Sequence, residues 1–248
     1  MSFNKVKSFI IIFMITLVCS CKGQEIRNDL ANNPLQVPNE TQNSILVYKS
    51  KEQISQVVRM MFQDSKGNIW FGAENGAWKL TDDSLIRIDS IKSESGGRVT
   101  IKDITEDKDG KIWVGHTDGI SSINGELVTN YYESDGLISN AVWCIEADVK
   151  GNIWIGTMEG ACVFDGKTFK NFELPLGIRD TTVGVSSDKM INKIFRDRKG
   201  KLWISSNAGL FSYSNNTLTN VSKKVGIKSN YVSIGLEDKA GVLWLNSK

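Results

Sequence analysis

The sequence predicts an all-β fold, a β-propeller of four-stranded blades, and three observations support it. A short unit containing Asp, Gly and Trp recurs five times, and each Trp lies in a short apolar run. The Trp-to-Trp steps are 43, 41, 49 and 41 residues. A period of about 40–45 residues is typical of one four-stranded propeller blade per repeat. About five repeats are visible, and the last copy is cut short, so the sequence leaves open whether the ring is complete.

The best copy of the unit runs from Asp148 to Gly160. An Asp side chain bonds backbone N–H groups two residues on, and Gly accepts the positive φ that closes a short hairpin. The first four residues, 148–151, therefore predict a turn between two antiparallel strands. The apolar run 153–155 predicts a strand that is buried on both faces. Gly160 ends a second turn, and residues 168–172 supply a fourth strand.

One tryptophan occupies the same position in every repeat. An aromatic side chain that recurs in this way is expected to pack between blades, because a binding site would break the repeat symmetry. The repeated, structural tryptophans are Trp70, Trp113, Trp154, Trp203 and Trp244.

The third repeat resembles the two-component regulator propeller repeat, which is found in periplasmic sensor regions of bacterial hybrid histidine kinases and in smaller exported proteins. The match is carried by Val142, Ile145, Asp148, Gly151, Ile153-Trp154-Ile155-Gly156-Thr157 and Gly160, after the entry loop Asp135-Gly136-Leu137-Ile138-Ser139-Asn140. The resemblance implies a sensor-type propeller over roughly residues 57 to 248. Its repeats lie near 57–90, 99–132, 141–173, 190–221 and 231–248.

Two repeats depart from this pattern. Ser205 replaces the second glycine in the fourth repeat, Gly235 interrupts the first strand of the fifth, and the fifth stops before its second turn. The departures leave two alternatives, an open arc of about four complete blades or a ring strained shut around a defective fifth. An open arc predicts poor solubility or dimerisation of residues 22–248.

The N-terminus predicts an exported lipoprotein. Lys5 and Lys7 precede an apolar run over 9–15, which is too short to span a bilayer and is typical of a signal peptide over 1–20. Ser20-Cys21 resembles a lipobox, in which Cys21 is acylated; Cys19 fits less well, and an ordinary cleaved signal is the alternative. Residues 21–44 have loop composition and are interpreted as a tether. We therefore expect attachment to a lipid bilayer of the bacterial cell envelope.

The mature chain carries no excess of basic charge. Removal of residues 1–20 takes away two lysines and no acid, so the formal net charge falls from +2 to 0. A neutral chain without a basic block argues against a nucleic-acid partner. Residues 45–49 read as a lone strand, which we expect to complete the last blade as an outer strand.

The two cysteines of the third repeat are predicted to be free, buried thiols. Cys144 lies in the first predicted strand and Cys162 in the third. Two strand spacings of about 4.8 Å place them beyond the ~7 Å that a disulfide allows between Cα atoms.

Groups that could carry catalysis are scarce, so neither a catalytic residue nor a cofactor or metal is assigned. His116 is the single histidine, and His clusters for a metal are therefore impossible. It takes the place that Thr157 holds in the next repeat, in a turn expected at the ligand-facing rim. The alternatives are an exposed turn residue and a ligand-binding residue. No phosphate-binding glycine motif occurs, and Asp107 begins a hairpin turn that lacks the Glu of a calcium loop.

One position varies between repeats where the scaffold positions agree. It lies five residues before each repeat Asp, where the innermost strand enters the channel. Arg and Asn donors beside an exposed Trp suit a carbohydrate or another polar ring, whereas the plainer alternative is a polar channel mouth with Trp143 half-buried against Leu137. The residues are Arg59, Lys102, Trp143, Asn192 and Ser233, of which the first four, with His116, are the ligand-binding candidates.

Three functions are compatible with these patterns. The first, which we favour, is a non-catalytic, lipid-anchored binding or sensor module that takes a small-molecule ligand, for example a glycan, and signals through another protein. The second is a propeller lyase or hydrolase. The third is a remnant of a longer propeller sensor protein.

Overall fold

The computed structural model describes residues 47–48, 53–82, 84–179, 181–183, 186–228 and 231–247. Its regular elements are nineteen strands and two short 3₁₀ helices, Glu133–Asp135 and Thr181–Val183. All of them belong to one unit, Ile45–Lys248. The predicted signal peptide, Cys21 and the tether lie outside the described residues.

The strands form five sheets that follow one another along the chain and are antiparallel apart from one pair in the first sheet, which confirms the predicted propeller architecture. Sheet 1 contains β1 (Val47–Tyr48), β2 (Val58–Gln63), β3 (Ile69–Ala73), β4 (Gly76–Leu80) and β5 (Ser84–Arg87). Sheet 2 contains β6 (Ile101–Glu106), β7 (Ile112–His116), β8 (Gly119–Asn124) and β9 (Leu127–Tyr131). Sheet 3 contains β10 (Val142–Ala147), β11 (Ile153–Thr157), β12 (Gly160–Phe164) and β13 (Phe169–Phe172). Sheet 4 contains β14 (Ile191–Arg196), β15 (Leu202–Ser206), β16 (Gly209–Ser214) and β17 (Thr217–Asn220), and sheet 5 contains β18 (Val232–Glu237) and β19 (Leu243–Ser247).

The Asp of each repeat holds both the hairpin and the tryptophan. In sheet 3, Asp148 Oδ1 accepts hydrogen bonds from the backbone N–H groups of Lys150 and Asn152, at 2.8 and 2.9 Å. Its Oδ2 accepts one from Trp154 Nε1 at 3.1 Å. Gly151, at φ 92°, closes the turn as predicted. The same Asp-to-indole bond occurs in the other four repeats at 2.8–3.1 Å, which explains the constant spacing of six residues.

Three hydrophobic cores lie between neighbouring sheets, one each between sheets 1 and 2, sheets 2 and 3, and sheets 3 and 4. Each contains the repeat tryptophan of one sheet and the inner strands of the next: Trp70 packs with sheet 2, Trp113 with sheet 3 and Trp154 with sheet 4. The structure thus confirms the predicted packing role for Trp70, Trp113 and Trp154, whereas Trp244 is 50% exposed. The innermost strands also contact in sequence, β2 with β6, β6 with β10, β10 with β14 and β14 with β18. Within the described residues sheets 1 and 5 do not join, so the arrangement is an open arc.

The expectation for the N-terminal strand is wrong. Val47–Tyr48 pairs in parallel with Ser84–Leu85 at the outer edge of sheet 1, rather than completing the last blade. Sheet 1 thereby becomes five-stranded, while sheet 5 keeps two strands. The outer edge of β5 is therefore covered by β1, and folded proteins commonly protect exposed strand edges in some such way.

Gly235 does not interrupt the first strand of sheet 5, which corrects a second expectation. The strand runs through it, and the pairing register with β19 shifts between Ile234 and Leu236. A glycine at a register shift is typical of a bulge. The chain absorbs the extra residue locally and keeps the hairpin.

Cys144 and Cys162 are both free and buried, as predicted. Cys144 lies in the core between sheets 3 and 4, and Cys162 in the core between sheets 2 and 3. The two thiols therefore point to opposite faces of sheet 3.

Candidate functional site

The variable position of the first four repeats lies at a bulge in the innermost strand. The pairing register shifts on either side of Arg59 in β2, Lys102 in β6 and Trp143 in β10. It shifts again on either side of Asn192 in β14. A bulge re-aims the side chain of its extra residue and is common next to binding sites. The variable residues are thus the ones that the bulges take out of the regular strand pairing.

Three of these side chains, Arg59, Lys102 and Trp143, form one cluster with Glu74, here called the rim cluster. Arg59 Nη2 contacts Glu74 Oε1 at 2.8 Å, and both side chains are exposed. Lys102 Nζ lies 4.7 Å from the ring centroid of Trp143, within the range of a cation–π contact. Partial burial and then the nearby Arg59 lower the pKa of Lys102, and Glu74 opposes this. The cluster therefore joins two cations, one carboxylate and an aromatic face across three sheets.

Trp143 is 40% exposed, whereas Trp154 of the same sheet is 4% exposed. The exposed tryptophan of sheet 3 is thus the one at the variable position. Asn192, on the next sheet, uses its amide nitrogen to donate to the Val232 carbonyl at 3.1 Å. Its Oδ1 is buried and has no hydrogen-bond partner among the described residues. Asn192 is thus tied to the neighbouring strand rather than to the rim cluster.

His116 is fully buried, so its expected place at an exposed rim is wrong. Its Nδ1 accepts the backbone N–H of Asp118 at 3.3 Å, and its Nε2 lies 3.0 Å from Ser121 Oγ. Ser121 in turn donates to Asn130 Oδ1 at 2.7 Å. Burial lowers the pKa of His116 to about 4, so the ring is neutral near pH 7. The histidine ends β7 inside sheet 2 and does not reach solvent.

A second group of charged side chains lies deeper, and the sequence reasoning missed it. Lys193 Nζ of β14 lies 2.6 Å from Asp103 Oδ2 of β6, across the intervening strand β10. Asp103 Oδ2 also accepts the backbone N–H of Ile145 in β10, at 3.1 Å. Burial lowers the pKa of Lys193, but Asp103, Cys144 and Glu146 together outweigh burial, so the pKa is raised. This ion pair ties sheets 2, 3 and 4 together.

Glu146 is a second, partly buried acid of this region, with its side chain 16% exposed. Its carboxylate accepts the backbone N–H of Arg196 at 3.3 Å, and Arg196 Nε lies 3.7 Å from its Oε1. Burial raises the pKa of Glu146 to about 7, against the opposing effect of Arg196 and Lys193; Asp103 adds to the rise. The group therefore changes charge near neutral pH.

Raising the pH is expected to destabilise the fold through Glu146. Because its folded pKa is about 7 and its ordinary value 4.5, the folded state binds the proton more tightly. This contribution is fully present below pH 4.5 and is lost as the pH rises through 7; a shift of this size corresponds to about 3 kcal/mol. Urea unfolding at pH 4.5 and 8 measures the loss. The free energy of unfolding should decline less between these two pH values in Glu146→Gln than in the parent. An equal decline in both proteins would contradict the role assigned to Glu146.

One cavity lies away from the rim cluster, between sheets 3 and 4. It has a volume of about 130 Å³, and its lining includes Ile138, Glu159, Leu174 and Lys189. Small-molecule pockets usually measure about 300–1,000 Å³. We therefore place the candidate site at the rim cluster, where the exposed, repeat-specific side chains lie.

Two further observations concern the described residues alone. No three His, Cys, Asp or Glu side chains among them group so as to hold a metal ion. Within the same residues, no helix has the length and apolar character needed to cross a membrane.

Comparison with protein families identifies the repeat. The family model described as two component regulator propeller matches residues 52–75, 93–118 and 136–159. Three repeats of this chain are two-component regulator propeller repeats. The matched segments cover the first three repeats, in which the glycine two residues after Trp is present. The fourth and fifth propeller repeats, which have Ser205 and Asn246 at that position, lie outside the match.

Solved structures share this propeller fold. The extracellular domain assigned to a hybrid two-component system of B. thetaiotaomicron is 27% identical, with a TM-score of 0.60. The match covers 77% of this chain and 26% of that one, so this chain spans about a quarter of that domain. Virginiamycin B lyase from Staphylococcus aureus, with quinupristin, is 15% identical with a TM-score of 0.55, over 75% of this chain and 62% of that one. PorZ, a surface component of the type-IX secretion system of Porphyromonas gingivalis, is 16% identical with a TM-score of 0.55. The match covers 76% of this chain and 30% of PorZ.

At identities this low, the lyase and PorZ show the fold alone. A comparison with curated protein sequences gave no match. The repeat family and the B. thetaiotaomicron domain therefore carry the functional comparison.

Proposed function

We propose that this propeller is a non-catalytic, extracytoplasmic sensor module that binds a small polar ligand at the rim cluster. It is attached to the envelope membrane through acylated Cys21 and acts on a separate signalling protein. The single observation that carries the ligand site is the bulge at the variable position, which turns Arg59, Lys102 and Trp143 to one rim. Support for the sensor role comes from the repeat family and from the extracellular two-component domain.

The chemistry of the rim cluster suits a carbohydrate. An indole face stacks on the apolar face of a sugar ring, while charged groups bond its hydroxyls. Arg59 and Glu74 provide a donor and an acceptor 2.8 Å apart, beside the Lys102–Trp143 contact. The repeat tryptophans Trp70, Trp113 and Trp154 cannot serve in this way, because they are only 3–4% exposed.

Trp143→Ala is expected to weaken carbohydrate binding while leaving the fold intact. Aromatic stacking contributes about 0.5–1.5 kcal/mol beyond buried area, so loss of the face should lower affinity several-fold. A glycan array probed with the fluorescently labelled protein identifies a bound oligosaccharide, and calorimetry then compares the variant with the parent.

Leu127→Ala provides the matched control, because Leu127 is 67% exposed but lies on the outer strand β9. It should bind as the parent does. Unchanged affinity in Trp143→Ala, or binding of no glycan by the parent, would contradict a carbohydrate site at this rim.

Cys21→Ser is expected to release the mature protein from membranes. Without a thioether-linked lipid, the anchor that two or more acyl chains would provide is lost. Membrane fractionation and labelling with a palmitate analogue measure the effect. Ser20→Ala, which keeps a small residue before the cysteine, should retain the label. Labelling that persists in Cys21→Ser would overturn the anchoring proposal and leave the rim-cluster proposal untouched.

A further inference from the structure

The connection between sheets 3 and 4 is longer than the other connections between sheets. It separates β13 from β14 by 18 residues, whereas 13, 10 and 11 residues separate the corresponding strands at the other three junctions. An insertion in a single repeat usually forms a loop on one face of a repeat protein, often the binding face. The extra residues of this connection are not needed to join the sheets, so another role is expected for them.

The base of this connection is fixed to sheet 4. The Gly177 N–H donates to the Asp188 carbonyl at 2.7 Å, so the chain returns on itself. Asn207, in the turn between β15 and β16, uses its Nδ2 to donate to the carbonyls of Ile178 and Ser187, at 3.3 and 2.6 Å. Asn207 is 1% exposed, and Gly177 lies so close to it that a Cβ there would collide with the amide. One buried side chain therefore holds both ends of the excursion in place.

The cavity of about 130 Å³ between sheets 3 and 4 follows from this insertion. Residues 173–176 and Lys189, all in the connection, are among its lining residues. The sheets contribute apolar residues, including Ala161 and Ile191, which are each 1% exposed. The cavity is open to solvent, since its lining residue Leu176 is 65% exposed. A small molecule can therefore enter it and contact both apolar and polar groups.

Three charged residues line the cavity: Glu159, Glu173 and Lys189. Glu159 lies in the turn between β11 and β12, and the other two lie near the two ends of the connection. In the part of the chain that the structure describes, none of these three side chains takes part in an ion pair or a hydrogen bond. By contrast, Arg179 and Asp188 of the same connection form an ion pair at 3.7 Å. The cavity thus gathers two carboxylates and one ammonium group whose charges the described residues do not neutralise.

We propose that this cavity is a second ligand site, which binds a free α-amino acid with a short aliphatic side chain. The ammonium group of the ligand pairs with the carboxylates of Glu159 and Glu173, and its carboxylate pairs with Lys189. Its aliphatic side chain contacts the apolar lining, which includes Leu174 and Ile191. A ligand with only one of the two charges would leave part of the cavity's own charge without a partner, so the lining favours a zwitterion.

The size of the cavity limits the ligand in the same direction. A cavity of about 150 Å³ holds one benzene molecule, so the present cavity takes a molecule of about six to nine non-hydrogen atoms. Free amino acids from alanine to leucine fall within that range, whereas a monosaccharide is larger. The amino acid and the carbohydrate proposed for the rim cluster are therefore different molecules, and the two proposals stand independently.

Calorimetric titration of the purified full chain with L-alanine, L-valine and L-leucine tests the proposal. At least one of the three amino acids should bind. Isobutylamine and isovalerate are the matched analogues of L-valine, because each keeps the aliphatic part and only one of the two charges. Each analogue should bind about tenfold or more weakly than L-valine, since it loses a charged hydrogen bond and leaves a charge of the cavity unpaired.

Variants of the charged lining residues test the same pairing from the side of the protein. Lys189→Met and the double variant Glu159→Gln, Glu173→Gln should each weaken amino-acid binding about tenfold or more. Circular dichroism should show the native fold in both, because all three residues are exposed. Lys167→Met and Glu126→Gln are the matched controls, since they remove the same charges at exposed positions outside the cavity, and both should bind as the parent does.

Several results would each overturn the proposal. They are a parent that binds none of the three amino acids, an analogue that binds as tightly as L-valine, and parent-like binding in either cavity variant. A loss of affinity in the control variants equal to that in the cavity variants would also overturn it, because the effect would then not depend on the cavity. None of these results bears on the rim cluster, whose ligand is tested separately.

Discussion

Trp154→Ala should unfold at a markedly lower urea concentration than the parent. The indole is 4% exposed and lies 4.7 Å from the Phe172 ring and 5.0 Å from the Tyr213 ring, between sheets 3 and 4. Truncation of a large buried aromatic side chain costs about 3–5 kcal/mol. The Asp148 carboxylate also loses the indole donor that its Oδ2 accepts at 3.1 Å.

Two variants separate these contributions. Trp154→Phe keeps most of the packing and removes the hydrogen bond, so it should cost clearly less than Trp154→Ala. Trp143→Ala should also cost less, because that side chain is 40% exposed. Equal losses in Trp154→Ala and Trp143→Ala would show that Trp143 belongs to the core and that the rim cluster is not a binding surface.

Lys193→Met should be comparably destabilising at neutral pH. The variant leaves Asp103, which is 2% exposed, without the cation that lies 2.6 Å from its Oδ2. Removing one partner of a buried ion pair costs about 3–5 kcal/mol, because the remaining charge is uncompensated. Urea unfolding at pH 7 measures the loss, and the loss should shrink in acid, where the carboxyl group binds a proton.

The double variant Asp103→Asn, Lys193→Met provides the matched test. The amide oxygen still accepts the backbone N–H of Ile145, but no buried charge remains. Stability should therefore recover substantially relative to Lys193→Met. If the double variant is less stable than Lys193→Met, the uncompensated charge is not the cause of the loss.

The repeat architecture was predictable because it depends on local chemistry. The turn at residues 148–151, the buried strand around Trp154 and the second turn ending at Gly160 each follow from residues that are close in sequence. The same locality explains the two errors in strand assembly. Neither the pairing of Val47–Tyr48 with sheet 1 nor the continuation of β18 through Gly235 is encoded in a short motif.

The candidate site was only partly predictable. Counting back from each repeat Asp finds Arg59, Lys102 and Trp143, and the bulges that carry them explain why that position is free to vary. His116 was misplaced because its turn position predicts exposure, whereas the hydroxyl of Ser121, five residues away, gives its ring a buried partner.

The Asp103–Lys193 pair is indicated in the sequence by opposite charges at an otherwise apolar repeat position, which the prediction did not use. One residue after the variable position, three repeats carry Met60, Cys144 and Ile234, while the other two carry charges of opposite sign. Opposite charges at an otherwise apolar repeat position indicate a buried ion pair between repeats. Their contact spans ninety positions of sequence, so only the fold shows that the side chains meet.

The two buried thiols of sheet 3 can be used to measure which neighbouring sheets separate when the protein unfolds. Burial raises the pKa of Cys144 to about 12 and that of Cys162 to about 11, so neither is a reactive thiolate in the folded state. Alkylation of Cys144 requires sheet 3 to separate from sheet 4, and alkylation of Cys162 requires it to separate from sheet 2. The order in which a thiol reagent modifies the two cysteines therefore shows whether sheet 3 separates first from sheet 4 or from sheet 2.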